Sequence, residues 1–220
     1  MKNRNLMIFV NHFHHQVYIV TLLLLTVIIF SPVSANENRA ACYKQCVSDY
    51  GTVLGTTAKG IKAYSNCNND CVIFEPNKHN GTYTGIKWQC VEFARRWLLV
   101  NHGVVYGDVD FAIDIWDKIT YYTNVKTSKQ VPVTSHLNGS EQPPRTGDLL
   151  IYAKALLGTG HVAVVTGVNK EKNKITIGEQ NYKNSEWSDD HARSVDYINR
   201  NGKYWVLDPY LIGWKHSKFN

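Results

Sequence analysis

Cys90, Phe93, Ala94, Trp97 and Leu98 recur at i, i+3, i+4, i+7 and i+8, which puts them on one face of a helix from Gln89 to Asn101. Glu92, Arg95 and Arg96 fall elsewhere on that helix, and His102-Gly103 ends it. Phe111, Ala112, Ile115, Trp116 and Ile119 predict a second amphipathic helix over residues 111–119. Other apolar positions fall in short runs. Residues 51–55, 61–65, 148–153, 161–168, 174–178 and 204–207 read as strands. Residues 66–84 are rich in Asn, Asp, Gly and Lys, and residues 126–146 carry Pro132, Pro143 and Pro144, so both read as loops. Helices first and strands after predict an α+β domain around an antiparallel sheet.

The N-terminus breaks this pattern. Lys2 and Arg4 make a basic start, residues 16–35 hold no charge, and Val17 to Phe30 is apolar apart from threonines. Ser31-Pro32 ends the run and Val33-Ser34-Ala35 fits a small-residue cleavage site, which predicts a secretory signal over 1–35. An uncharged run of this length can also just span a bilayer, so a membrane anchor over 17–35 is the alternative. Residues 36–49 then form a short cysteine-bearing extension, and 50–220 the folded domain.

Export gives the five cysteines a meaning. An odd count in a secreted chain leaves one thiol over, and Cys90 is the natural remainder. Cys42, Cys46, Cys67 and Cys71 form two C-x3-C pairs. A four-cysteine zinc site is possible, but an oxidising compartment favours disulfides. Bridges between the pairs are preferred here, because they would tether the N-terminal segment to the domain. The formal charge of +6 falls to +4 without residues 1–35. That suits an anionic surface such as a cell wall, and no nucleic-acid motif accompanies it. Asn80-Gly-Thr and Asn138-Gly-Ser are glycosylation sequons, relevant only in a glycosylating host.

Candidate chemistry starts at Cys90. In the first turn of a helix, a thiol faces unpaired backbone N–H groups and the positive end of the helix dipole, which favour the nucleophilic thiolate. A packed apolar cysteine is the plain alternative. Downstream, Thr159-Gly160-His161 opens an apolar strand, and Lys174 to Asn181 is a strand ending in an acid and two amides. Cysteine on a helix, then histidine and an acid or amide on later strands, is the order of a papain-like cysteine hydrolase. Glu179 stands behind His161 as its orienter, with Asn181 as the fallback. Gln89 and the Cys90 backbone N–H are candidate oxyanion donors. His79, His102, His136, His191 and His216 read as surface residues, and no metal constellation or cofactor motif stands out.

KWQCVEFARRW, GDLLIY, TGHVAVVT and ITIGEQN resemble the CHAP amidase family, and within it the amidase domain of glutathionylspermidine synthetase/amidases. The resemblance covers roughly residues 50 to 214. It implies a papain-like fold with N-terminal helices packed on an antiparallel sheet, and a Cys90–His161–Glu179 triad. It also implies that Arg95 contacts a substrate carboxylate, while Arg96 reads as a solvated helix residue. The expected function is a secreted cysteine amidohydrolase, acting on a small peptide-like amide such as glutathionylspermidine or on cell-wall peptide. A catalytically silent binding module and a disulfide-rich structural protein are the alternatives. No nucleic-acid partner is expected, and membrane contact only through an uncleaved signal.

Overall fold

A computed structural model describes residues 42–219. The predicted signal at 1–35 lies outside the described residues, as does the start of the 36–49 extension. Thirteen strands and two helices follow one another along the described chain. The first hairpin pairs β1 (Val53–Thr56) with β2 (Lys62–Tyr64), and a second pairs β3 (Pro76–His79) with β4 (Thr82–Ile86). Helix α1 spans Cys90–His102 and α2 only Asp114–Lys118. The remaining strands are β5 (Val104–Val105), β6 (Tyr121–Asn124), β7 (Gln130–Leu137), β8 (Leu149–Tyr152), β9 (His161–Asn169), β10 (Lys174–Gly178), β11 (Arg193–Arg200), β12 (Lys203–Val206) and β13 (Leu211–Ser217). They form one nine-stranded antiparallel sheet in the order β12-β11-β10-β9-β8-β13-β7-β6-β5. The fold is α+β, dominated by the sheet.

The central strands are buried on both faces, and their alternation divides the core. Leu149, Ile151, Val162 and Val164 join Phe93, Ala94, Trp97 and Leu98 of α1 on one side. Leu150, Tyr152, Ala163, Val165, Ile175 and Ile177 join Val195, Tyr197, Val206 and Trp214 on the other. Burying a side chain of this size stabilises by about 1.5–3 kcal/mol, so both clusters hold the sheet rigid under the site.

Helix α1 keeps its predicted face, and Gly103 ends it in the left-handed conformation with its N–H on Leu99 O. Its polar side differs from expectation, because Glu92, Arg95 and Arg96 are buried too. The β3–β4 hairpin covers that side, and all but its last two residues fall in the segment read as loop. Its turn is Asn80-Gly81, both at positive φ, the pair that a tight hairpin turn selects. Gly85 then passes so close to Glu92 that a Cβ would sit 2.9 Å from its Cα. The predicted 111–119 helix shrinks to α2, preceded by turns around Phe111 and Ala112. The predicted 126–146 loop contains β7, whose Val131 and Val133 pack against the core.

Two disulfides, Cys42–Cys71 and Cys46–Cys67, each join one C-x3-C pair to the other, and Cys90 is the free cysteine. They tie the residues around Cys42 and Cys46 to the loop after β2. No helix among the described residues is long and apolar enough to cross a membrane.

Candidate active site

Cys90 is the first residue of α1, with Gln89 in extended conformation at the N-cap and no side chain capping the helix. The orphan N–H groups of the first turn are therefore not taken by a cap. His161 opens β9 after Gly160, which has φ 73° and where a Cβ would lie 2.6 Å from Tyr152 O. Only glycine lets the chain turn there and bring the imidazole in. Glu179 follows the last residue of β10, and Arg193 opens β11. β9, β10 and β11 are adjacent and antiparallel, so His161, Glu179 and Arg193 share one end of the sheet.

Their side chains form a chain of contacts. His161 Nε2 lies 2.9 Å from Glu179 Oε2, while Nδ1 is buried without a formed hydrogen bond. Cys90 is the group beside His161 on the other side. Burial opposes the thiolate, but the neighbouring His161 and then the backbone N–H groups of Val162 and Val91 outweigh this. The Cys90 thiol is held below its ordinary pKa. His161 moves the other way: burial disfavours the imidazolium, yet Cys90 and then Glu179 raise its pKa to about 9. For Glu179, burial favours the acid, but His161 and Arg193 hold it as a carboxylate. The combined effect favours a thiolate–imidazolium pair.

Arg193 was invisible to sequence reasoning, since a lone arginine in an unassigned stretch carries no signal. Its Nε donates to Glu179 Oε1 at 2.7 Å, its NH1 pairs with Asp208 at 2.7 Å, and its NH2 reaches Tyr152 Oη at 3.2 Å. Tyr152 Oη in turn donates to Asp208 at 2.7 Å. The guanidinium also lies over Tyr182, which stacks on the His161 ring at 5.1 Å. Glu179 is thus fixed from behind, and Tyr182 covers one face of His161.

Other expectations need correcting. Asn181 does not reach His161: β10 stops at Gly178, Asn181 adopts φ 55°, and its Nδ2 donates to Gln89 Oε1 at 2.8 Å. Arg96 is not solvated. Its Nε and NH2 grip Glu92 at 2.7 and 3.1 Å, and Asn77, Thr84 and Gln180 supply further donors to that carboxylate. Arg95 is also buried, over the rings of Tyr83 and Tyr106, with NH1 on the exposed Asp108 at 3.2 Å and Nε lacking a partner. A substrate carboxylate would have to compete with Asp108. Gln89 Nε2 points to Asn66 Oδ1 and Cys71 O at 3.3 and 3.4 Å, contacts longer than a strong bond. His216 is no plain surface residue, because its Nδ1 meets Asp148 at 2.6 Å.

A cleft of about 390 Å³ opens over Cys90, a size suited to a small ligand. Gln89, Cys90, Phe74, Phe111, Asp108 and Asp110 are among its lining. The Asp189-Asp190-His191 group is the one set of three possible metal donors among the described residues. It is largely exposed, and His191 already contacts Asp190 and Ser194.

Residues 78–181 match the model of the CHAP domain. The bifunctional glutathionylspermidine synthetase/amidase of Escherichia coli strain K12 is 33% identical over 187 residues, covering 75% of this chain and 29% of that protein. The trypanothione synthetase of Crithidia fasciculata is 33% identical over 160 residues, covering 72% and 24%. The chain thus spans under a third of the length of these relatives. The crystal structure of Ly7917 aligns with 84% of this chain and 62% of that one, at TM-score 0.33 and 16% identity, a likeness too slight to bear on function.

Proposed function

We propose that this chain, which carries a CHAP domain over residues 78–181, is a cysteine-dependent hydrolase of amide bonds with Cys90, His161 and Glu179 as its catalytic residues. The observation that carries this reading is the contact chain Cys90–His161–Glu179–Arg193, with Cys90 and His161 shifted in opposite directions.

Cys90 Sγ attacks the amide carbonyl carbon, and the C=O electrons move onto oxygen. The Cys90 backbone N–H and Gln89 Nε2 are the donors for that oxyanion. Collapse breaks the C–N bond, and the His161 imidazolium protonates the leaving amine, which leaves a thioester. Water then attacks the thioester with His161 as base, releasing the acid and restoring Cys90. Glu179 holds the imidazole tautomer and stabilises its charge, and Arg193 holds Glu179.

The cleft and the relatives support one reading of the substrate class. Its volume admits a small peptide-like amide, and the amidase named among the relatives makes glutathionylspermidine the first candidate. Arg95, behind Tyr83 and Asp108 at the cleft wall, would contact a substrate carboxylate after displacing Asp108. Cell-wall peptide is the second candidate, favoured by export and by the basic mature chain. Two disulfides support an extracellular setting; on this reading 50–220 is the domain and 1–35 a signal that is removed. Incubating the mature protein with glutathionylspermidine and with purified muropeptides, followed by mass spectrometry, tests this. A new carboxylate and a new amine are expected, and both must vanish in Cys90→Ala. Wild type without product from either would overturn the substrate reading.

A further inference from the structure

Gln89 belongs to a closed ring of three amides. Gln89 Nε2 donates to Asn66 Oδ1 at 3.3 Å, Asn66 Nδ2 donates to Asn181 Oδ1 at 3.1 Å, and Asn181 Nδ2 donates to Gln89 Oε1 at 2.8 Å. Each amide gives one hydrogen bond and takes one, so no amide can turn over without breaking two. Such networks fix orientation when every member is satisfied. Asn66 is fully buried and anchors the ring. Its Nδ2 also donates to Cys71 O at 2.6 Å, its backbone N–H to Asn184 Oδ1 at 2.8 Å, and its Oδ1 takes the Trp88 N–H at 3.4 Å. The loop that carries it is bridged at Cys67 and Cys71 to Cys46 and Cys42.

The distances around the ring are unequal. The bond into Gln89 Oε1 is short, while both contacts from Gln89 Nε2 are long. The amide is therefore held by its oxygen, its N–H groups are only weakly engaged, and Gln89 lines the cleft beside Cys90. A donor placed but not tightly bonded strengthens its hydrogen bond when negative charge develops on the substrate oxygen, which is what transition-state stabilisation requires.

We propose that Asn66 is a positioning residue for the oxyanion donor: with Asn181 it aims Gln89 at the carbonyl that Cys90 attacks, and the two disulfides hold its loop in place. The proposal rests on the reading of Gln89 as an oxyanion donor. It gives the disulfide-bearing segment a role in the rate as well as in stability, and it reassigns Asn181 from His161 to Gln89.

The test compares amide turnover with alkylation of Cys90. Iodoacetamide reacts by displacement: the S–C bond forms, the C–I bond breaks and iodide leaves, with no oxyanion. Asn66→Leu should lower kcat on glutathionylspermidine or muropeptide about 10- to 100-fold. KM should stay near wild type, and the rate and pH profile of alkylation should be unchanged. Asn181→Leu breaks the ring at another point and should behave alike, which covers the case in which Asn66→Leu does not fold. Gln89→Ala is the control. If Gln89→Ala keeps the wild-type kcat, the oxyanion reading itself fails, and the positioning role with it. If Gln89→Ala is impaired while the ring variants keep their kcat, the positioning role alone is overturned. A fall in kcat matched by an equal fall in alkylation also overturns it, because the damage would then lie in the nucleophile.

Discussion

Single residues at this site are explained by what stands behind them. Glu179 is a carboxylate because Arg193 and His161 outweigh its burial. Glu179→Gln should keep the fold and lower kcat, since an amide can orient the ring but cannot balance its charge. Arg193→Met should cost about 10-fold in kcat and also move a quantity that mere packing would not. Removing a cation near His161 favours the imidazolium, so the alkaline limb of the kcat/KM profile should rise above its wild-type position near 9. An unmoved limb would make Arg193 purely structural. The same charges set the working range of the wild type. Activity needs the thiolate and the imidazolium together, so it should hold from below the ordinary thiol pKa up to about 9. It should fall on the acid side as Cys90 protonates and on the alkaline side as His161 loses its proton.

Among the elements, α1 separates what the sequence made legible from what it did not. Its apolar stripe and its end at Gly103 were readable because they are local. The burial of Glu92, Arg95 and Arg96 was not, because it depends on a hairpin that closes over the helix from outside. That hairpin had its own local sign, Asn80-Gly81, masked by polar residues on both sides. β7 shows a second kind of miss: its alternation of Val131 and Val133 was present, but Pro132 argued for a loop. Two substitutions on α1 distinguish the buried pair from the cleft. Arg96→Ala leaves Glu92 buried without its cation and should destabilise the fold by about 3–5 kcal/mol in denaturant melts. Arg95→Ala should leave stability closer to wild type and raise KM for a carboxylate-bearing substrate about 10-fold or more. Equal effects on KM from both would remove Arg95 from substrate binding.

Across the whole molecule, Cys90 and His161 could be singled out as candidates because each begins an element with a strong pattern, and Glu179 because it follows one. The contacts that complete the site could not. Arg193, Asn66 and Tyr182 reach it from segments without any periodic signal, through the order of the sheet and the path of the disulfide loop. The same long-range logic governs the cysteines. Non-reducing thiol counting on the mature protein should find one free thiol, at Cys90, and N-terminal sequencing should begin at Asn36. Material starting at Met1 would mean that the apolar run stays attached. Replacing Cys46 and Cys67 by serine should cost about 2–4 kcal/mol.

The central claim is that Cys90 is a thiolate because of His161, and the pH dependence of iodoacetamide labelling tests it most directly. Wild-type Cys90 should react rapidly near neutral pH, with an apparent pKa below the roughly 8.5 of a free thiol. In His161→Ala the loss of the imidazolium should shift the curve upward and slow labelling at neutral pH. If both proteins rise together with one pKa near that of a free thiol, Cys90 is not activated, and the account of the site fails with it.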